Sequence, residues 1–493
     1  MEFWTCILFL SLLFFISSLK SKWSTSTSKK LPPGPNPLPL IGNLLDLGDK
    51  PHKSLATMAK LHGPIISLKL GRVTAVVVSS SAMAKEVLQT NDQFLCNRVV
   101  PDALTAHSHH EVGFPWIPVS SLWRNYRKIC NNTLFAGKIL DMNENLRRKK
   151  VEELVEIVRK SALKGEAVDL GRLVFATTLN LLSNTIFSVD LADPSSELAK
   201  EFKKYVRGIL EEAGKPNLSD YFPMLRKFDI QGTRKRMEIH MGNVLNLLDS
   251  MIKQRMKQQE LNPDSVSNND LLHCLLKNET DTKIDQNQMI HLLLVLFVAG
   301  SDTTSSTLQW AMAELLRNPD KLAKAQAEIR KLVLEKRVVE EADIPRLPYL
   351  QAVVKETFRL HPVAPLLLPR KAQQEVEIAS FTIPKDAQVM INTWAMGRDP
   401  RNWENPESFE PERFLGSEID VKGRSFELIP FGGGRRICPG IPLAMRVMHL
   451  ILGSLISFFD WKVEDGFEVN MEDKFGITLE MARPLRAIPS LVI

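Results

Sequence analysis

Phe431-Gly-Gly-Gly-Arg-Arg-Ile-Cys-Pro-Gly440 is the stretch on which the reading of this chain turns. Gly434 and Gly440 carry no side chain, so the backbone there can pass close to a flat group. Arg436 presents a planar fork of donors that suits a carboxylate. Pro439 and the apolar run Ile441-Pro-Leu-Ala-Met445 predict the start of a helix. A cysteine at such a helix start sits at the positive end of the dipole, which predicts a lowered thiol pKa. The competing reading is a glycine turn followed by a buried cysteine. That reading suits a lone cysteine, and it leaves the joint placement of Phe431, Gly434, Arg436, Cys438 and Gly440 unexplained.

Working outward, Asp285 to Arg317 is the longest helical pattern. Asp285 and Gln288 form a capping-box pair, and Pro319 stops the helix. His291 to Val298 is apolar all round, which predicts a buried helix. Its centre then carries Ala299-Gly-Ser-Asp-Thr-Thr304, an acid and hydroxyls where a core helix avoids them. Gly300 weakens the helix and would let a ligand approach, and a Thr hydroxyl can open the backbone ladder. Without a ligand, the same residues read as a kink with internally bonded polar groups. Glu356-Thr-Phe-Arg359 puts opposite charges on one face of a helix running from Leu350 to Leu360. Arg413 in Pro411-Glu-Arg-Phe414 is available to complete a charged cluster. Trp123 and Arg127 lie four apart on another helix face.

The 431–440 stretch satisfies F-x-x-G-x-R-x-C-x-G and resembles the haem-binding loop of a cytochrome P-450. The resemblance runs from the prolines near Leu31 to the C-terminus. It is to the membrane-anchored plant type, in the group that includes geraniol and nerol hydroxylases and diterpene oxidases. It implies a mainly α fold with small β-sheets and an N-terminal transmembrane helix. The implied division is residues 1–22 as anchor, 23–37 as basic, proline-rich hinge and 38–493 as one catalytic domain. It implies haem b with Cys438 as axial iron ligand, the ligand type that favours O–O cleavage. Phe431, Gly434, Arg436 and Gly440 would shape the cofactor loop, and Trp123, Arg127 and Arg370 would join Arg436 on the propionates. The family pattern A/G-G-x-D/E-T is met at Ala299–Thr303, which implies proton delivery by Asp302 and Thr303 during dioxygen activation. Glu356, Arg359 and Arg413 would be structural. The implied pocket includes Leu294, Ala299, Val363, Leu367 and Ile477, with the loop from Val100 to Pro118 above them.

The N-terminus agrees with an anchor. Trp4 to Leu19 is nearly all apolar, and Lys20, Lys22, Lys29 and Lys30 follow it. A span needs about 20 such residues, and positive charge marks the cytosolic flank. No basic stretch precedes the run and no small-x-small cleavage site follows, as a signal peptide would require. Pro32-Pro-Gly-Pro-Asn-Pro37 is stiff and non-helical. The endoplasmic reticulum membrane, with the catalytic part cytosolic, is the expected location. The 5 cysteines at irregular spacing fit a reducing compartment. Asn131, Asn217 and Asn278 begin glycosylation patterns expected to stay unmodified. The net charge of +6 has no basic stretch interleaved with aromatics, so nucleic acid is excluded as partner. Arg147-Arg-Lys-Lys150 reads as a solvated helix face, with docking of an acidic electron donor as the alternative. Gln258 to Asp270 reads as a surface loop. His107-Ser-His-His110 lacks further ligands nearby and reads first as loop, then as pocket lining and last as a metal site.

No nicotinamide or flavin signature is present, since the glycines at 432–434 do not fit G-x-G-x-x-G. NADPH-derived electrons must therefore come from a partner, the NADPH-cytochrome P-450 reductase. The expected reaction is monooxygenation of a small hydrophobic substrate with O2. Phe475-Gly-Ile-Thr-Leu479 and the residues after Arg483 resemble the terpenoid-hydroxylating group, which points to geraniol. Diterpenes and prenylated or phenolic aromatics are the alternative substrates. An O2-independent haem-thiolate isomerase or dehydratase, or a non-catalytic haem carrier, is the alternative class, and the intact Asp302-Thr303 pair argues against both.

Overall fold

The computed structural model describes residues 30–492, apart from 192–196, 262–269, 277–283, 333–337, 465 and 467. The expected membrane anchor lies outside the described residues. Helices that build the site are α1 (Ser121–Ile129), α2 (Glu144–Lys164), α3 (Leu170–Phe187), α4 (Glu197–Gly214), α5 (Thr233–Leu261), α6 (Gln286–Arg317), α7 (Pro348–Leu360) and α8 (Ile441–Phe458). Strands are short: β1 (Ile65–Leu70), β2 (Val73–Val78), β3 (Asn97–Arg98), β4 (Arg370–Lys371) and β5 (Gln388–Ile391) form a sheet ordered β1-β2-β5-β4-β3. A hairpin of β6 (Asp473–Lys474) and β7 (Glu480–Met481) lies near the C-terminus. The mainly α architecture with small sheets is the expected one.

Helix α6 organises the interior. The Asp285 carboxylate accepts from the Gln288 N–H at 2.8 Å, and Gln288 Oε1 accepts from the Asp285 N–H at 3.2 Å, the predicted capping box. The first half of α6, Met289 to Phe297, is buried in an apolar cluster with α1, α3, α4 and α5. Its last turns, Leu308 to Leu315, are buried in a different cluster with α2, α7 and α8. The polar segment around Asp302 therefore lies at the junction of two cores. Gly300 serves packing: a Cβ there would come within 2.7 Å of Leu182 Cδ1 on α3. Its missing side chain admits the neighbouring helix, where the sequence suggested a ligand. The ladder is not opened either, because α6 runs unbroken through its hydroxyl-rich centre.

Helix α7 starts at Pro348, two residues before the expected start, with proline in its first turn. Glu356 and Arg359 are fully buried and joined by Nε to Oε2 and Nη2 to Oε1 contacts, each 2.7 Å. Arg413 Nε lies 3.1 Å from Glu356 Oε1, and the Glu410 N–H donates to the same oxygen at 2.7 Å. Arg359 also donates to the carbonyls of Gly397, Pro406 and Ser408. Every polar end is satisfied, which is what makes a buried ion pair tolerable. Phe358 on the same helix meets Phe431 edge-on, with ring centroids 5.2 Å apart. The charged cluster is thus connected to the cysteine loop.

Two surface expectations are corrected. Arg147 and Lys150 are buried. Arg147 Nε pairs with Glu341 and its Nη2 donates to the Leu140 carbonyl, while Lys150 bonds Glu153 and Asp190. Only Arg148 and Lys149 of that run face solvent, because the run spans more than one face of α2. The expected loop from Gln258 begins as helix, since α5 continues to Leu261, and residues 262–269 lie outside the described residues. The Asn217 side chain is buried and accepts from the Ser219 N–H, so it cannot carry a glycan in this fold. The proline segment is docked at its N-terminal end. Ser67 of β1 donates to the carbonyls of Pro32 and Pro33 at 2.6 and 2.9 Å.

Replacing Glu356 by Ala strands the Arg359 guanidinium in the core. The expected cost is about 3–5 kcal/mol, read as a lowered unfolding midpoint and a fall in haem-loaded protein recovered.

Candidate active site

The cysteine loop closes on itself through the Cys438 N–H, which donates to the Phe431 carbonyl at 3.1 Å. Gly434 adopts φ 67°, and a Cβ there would lie 2.0 Å from the Leu88 carbonyl oxygen. Its glycine is required by left-handed backbone and by this close approach. Gly440 precedes α8, and a Cβ on it would meet only Cys438 Sγ at 3.7 Å and Phe135 at 3.8 Å. Residues from Ile437 through Gly440 stay half-buried, although α8 beyond them becomes fully buried.

The thiol does not have the simple environment that the helix start suggests. Burial pushes it up, opposed by N–H groups of Gly440 and Ile441 and by the Arg127 charge. The net direction is upward, which corrects the lowered pKa expected from the dipole alone. A metal cation at the sulfur would reverse that balance, because ligation requires the thiolate.

Four segments bring arginines to the same region. Arg127 of α1 donates through Nη1 to the Ile437 carbonyl. Arg436 donates to the Cys96 and Ile117 carbonyls at 2.9 and 2.6 Å, and its guanidinium lies 5.0 Å from the centre of the Trp123 ring. Arg370 in β4 bonds Asp92 at 3.0 Å and the Gly433 carbonyl at 3.2 Å. Arg98, which the sequence reading missed, is directly opposite Arg370 in the antiparallel β3–β4 pair. Its Nη1 donates to the Leu368 carbonyl, and its Nε is buried with no hydrogen-bond partner. Burial, then Arg370 and Arg436, hold its pKa well below the usual arginine range. Burial also lowers Arg436, to about 10. Like charges placed opposite in a sheet repel, and Asp92 answers only part of this charge. A dianionic group would satisfy it. The residues present thus fit a flat macrocycle with paired carboxylates, held by Cys438 on one face.

Between Met289 and Leu315, the centre of α6 is its least buried part. Ala299 is exposed, and Val295, Val298, Gly300 and Thr303 are half-buried. Val295, Ala299 and Thr303 are four apart, which places them on one face. The Thr303 hydroxyl donates to the Ala299 carbonyl at 2.7 Å. Asp302 is buried beside it, and its Oδ2 accepts from the Thr478 hydroxyl at 2.9 Å. Burial and the Glu480 charge push Asp302 up to about 7, opposed by Thr478, Arg207 and Lys203.

The remaining expected pocket residues divide between packing groups. Leu294 is fully packed in the apolar cluster that α6 shares with α3 and α5, and Val363 is buried, accepting from the Leu479 N–H at 2.8 Å. Leu367, at φ 50°, packs with the cluster around the main sheet. Its neighbour Leu368, like Ile477, Val295, Val100 and Leu122, instead packs against the cluster that α6 shares with α3 and α5 and keeps part of its surface accessible. The positive φ turns the chain between the two leucines, which periodicity in the sequence does not reveal. His109 of the 107–110 run packs on α6, its Nδ1 2.8 Å from Nδ1 of His291. Among the described residues no group of three or more His, Cys, Asp or Glu could hold a metal ion.

The family model for cytochrome P-450 matches residues 32–485 of this chain. The protein belongs to the cytochrome P-450 family. It is 54% identical over 466 residues to geraniol 8-hydroxylase of Swertia mussotii, covering 94% of each chain. It is 52% identical over 496 residues to geraniol 8-hydroxylase of Catharanthus roseus, covering 99% of this chain and 100% of that one. Drimenol monooxygenase of Persicaria hydropiper is 50% identical over 477 residues, 96% of this chain and 94% of that one. This P-450 is a monooxygenase that uses haem b. When bound, the haem supplies dioxygen activation and the two-electron chemistry of oxygen insertion. The chain's residues bind it, exclude water, place substrate and hold protons.

Cys438→Ser is expected to abolish the thiolate-type carbon monoxide difference spectrum, and persistence of that spectrum would remove Cys438 as ligand. Arg98→Leu is expected to retain the fold but weaken haem binding by about tenfold or more, the loss of one charge-assisted bond. Haem titration of the stripped protein measures it.

Proposed function

We propose that this P-450 hydroxylates a small hydrophobic terpenoid such as geraniol, using O2 and NADPH-derived electrons from the NADPH-cytochrome P-450 reductase. The observation that carries the reading is the accessible face Val295, Ala299 and Thr303 of α6, beside an apolar cluster against which the partly buried Val100, Leu122, Leu368 and Ile477 also pack. Such a wall suits an apolar molecule with a single polar end. Two geraniol 8-hydroxylases at 54% and 52% identity over nearly the whole chain support the same substrate class.

In this reading Cys438 is the axial iron ligand. Trp123, Arg98, Arg127, Arg370 and Arg436 hold the propionates. Phe431, Gly434 and Gly440 shape the loop around the sulfur, and Glu356, Arg359 and Arg413 brace it from behind. Leu294, Ala299, Val363, Leu367 and Ile477 contribute to the pocket and its supporting layer. Asp302 supplies protons, and Thr303 presents its hydroxyl on the cavity side to pass them on. Ordinary carboxylates are charged at neutral pH and make poor acids. Asp302, raised to about 7, populates both forms there.

The reading places the protein on the endoplasmic reticulum membrane through residues 1–22, with residues 23–37 as hinge and 38–493 as the cytosolic catalytic domain. Leu38 and Leu40 are 51% and 63% exposed, and Met224, Phe228 and Ile230 are 62%, 73% and 59% exposed. A hydrogen bond from the Arg72 N–H to the Tyr221 carbonyl, 3.0 Å, links these two regions. Apolar surface on that scale suits an acyl boundary. On the cysteine side, exposed Arg124, Lys128, Lys138 and Arg435 suit an acidic electron donor.

Microsomes holding this protein and a plant reductase, fed geraniol, are expected to form a hydroxygeraniol only when NADPH is present. An intact carbon monoxide difference spectrum without product would move the substrate to another terpenoid or a prenylated aromatic. Thr303→Ala is expected to keep haem and to lower product per NADPH on the order of tenfold, with peroxide released instead.

A further inference from the structure

Asp302 is held by a contact from outside α6. Asp302, Ser306 and Trp310 recur every four residues, so they share one face. All of them meet the segment just before β7. The Thr478 hydroxyl donates to Asp302 Oδ2 at 2.9 Å, and Ser306 Oγ and Trp310 Nε1 donate to the Leu479 carbonyl at 3.0 and 3.3 Å. The Leu479 N–H is in turn anchored on the Val363 carbonyl. Thr478 is thus fixed along α6 by bonds on either side of it, and it is buried. Among the described residues Asp302 has no other hydrogen-bond donor on its carboxylate.

The same hairpin carries charge to its outer edge. Arg207 of α4 lies 3.3 Å from Glu480 Oε2 and 3.3 Å from Glu211 Oε1, and Lys474 of β6 also bonds Glu211. Helix α4 ends against the hairpin: a Cβ on Gly214 would lie 2.3 Å from the Ile477 nitrogen. Lys203 of α4 sits over the Phe175 ring at 5.1 Å, on the same side.

We propose that Thr478 is a positioning residue for proton delivery by Asp302, and that the Arg207–Glu480 pair across the α4–hairpin seam sets the charge this carboxyl works against. The proposal rests on the reading of Asp302 as the proton donor. Asp302 releases a proton on its cavity side and regains one from solvent, so the carboxyl undergoes no net oxidation. Electrons and O2 enter as in the established monooxygenase reaction. Thr478 commits Oδ2, which leaves Oδ1 to turn toward the Thr303 side.

The electrostatics around the carboxyl give opposite signs for opposite charges. Burial and Glu480 push Asp302 up to about 7, and Thr478, Arg207 and Lys203 pull it down. Asp169 and Arg172 act on Lys203 from beyond it, and the α3 group facing this stretch is the neutral Thr178 hydroxyl. A proton donor works in its protonated form, so coupling falls as pH rises through this value. Glu480→Gln removes the repulsion and moves that limb to lower pH. Arg207→Gln removes a stabilising cation and moves it to higher pH. Thr478→Val removes the bond to the charged form, which also moves the limb up, and it frees the carboxyl to rotate.

The test uses the holoenzyme reconstituted with reductase in membranes, with geraniol as probe. It reads peroxide formed per NADPH consumed from acid to alkaline pH, in variants whose carbon monoxide difference spectrum is intact. Asp302→Asn and Thr478→Val are both expected to raise this ratio, Thr478→Val by about tenfold, while Thr478→Ser stays near the parent protein. The limbs of Glu480→Gln and Arg207→Gln are expected to separate in the stated directions. If Asp302→Asn raises the ratio while Thr478→Val changes neither ratio nor limb, Thr478 has no positioning role. If Asp302→Asn leaves the ratio unchanged, the proton-donor reading fails and takes this inference with it.

Discussion

Buried like charge is the constraint on which this structure depends. Arg98 and Arg370 face each other across neighbouring strands, with Arg436 and Arg127 near them, and Asp92 is the carboxylate that reaches Arg370. Removing a charge from water costs several kcal/mol even after relaxation. The arrangement makes sense only around an anionic cofactor. Haem b is the group that the family brings to it, and its propionates would answer this charge. The short strands, the 90s segment, α1 and the cysteine loop are otherwise remote in sequence. The cofactor's charge is the reason for them to meet.

The second organising element is α6. It passes from one apolar cluster to another, and its run of acid and hydroxyl residues, Ser301 to Thr307, lies in the passage between them. Successive stretches of one helix stripe then differ in surroundings. Val295, Ala299 and Thr303 keep accessible surface, while Asp302, Ser306 and Trp310, seven residues on, are fastened to the segment before β7. A helix advances about 100° per residue, so adjacent Asp302 and Thr303 point in different directions, the one into a buried polar contact and the other toward accessible surface.

Much of this was legible in the chain because local rules carried it. The capping box at Asp285 and the Glu356–Arg359 pair depend on neighbours close in sequence, and each is found where expected. The errors share a cause. Arg147 and Lys150 were read as solvated because their run is basic, yet acids from residues 341, 153 and 190 reach them. Gly300 looked like room for a ligand and is room for Leu182. The thiol of Cys438 was judged from its helix alone, and burial outweighs that contribution. Arg98 was passed over because nothing near it in the chain shows that it will pair with Arg370.

The sequence by itself determined the family, the cysteine that can take the iron, the acid–hydroxyl pair in a buried helix and the dependence on an outside electron source. These follow from residue types at short, fixed spacings. The tertiary structure alone decided which arginines converge, which leucine of the 367–368 pair packs against the α6 cluster, and that Thr478 holds Asp302. Those choices depend on strand register, a left-handed residue and a hairpin laid on a helix 176 residues away in the chain. Long-range contacts of this kind arise from burial and pairing in three dimensions, and no spacing along the chain encodes them.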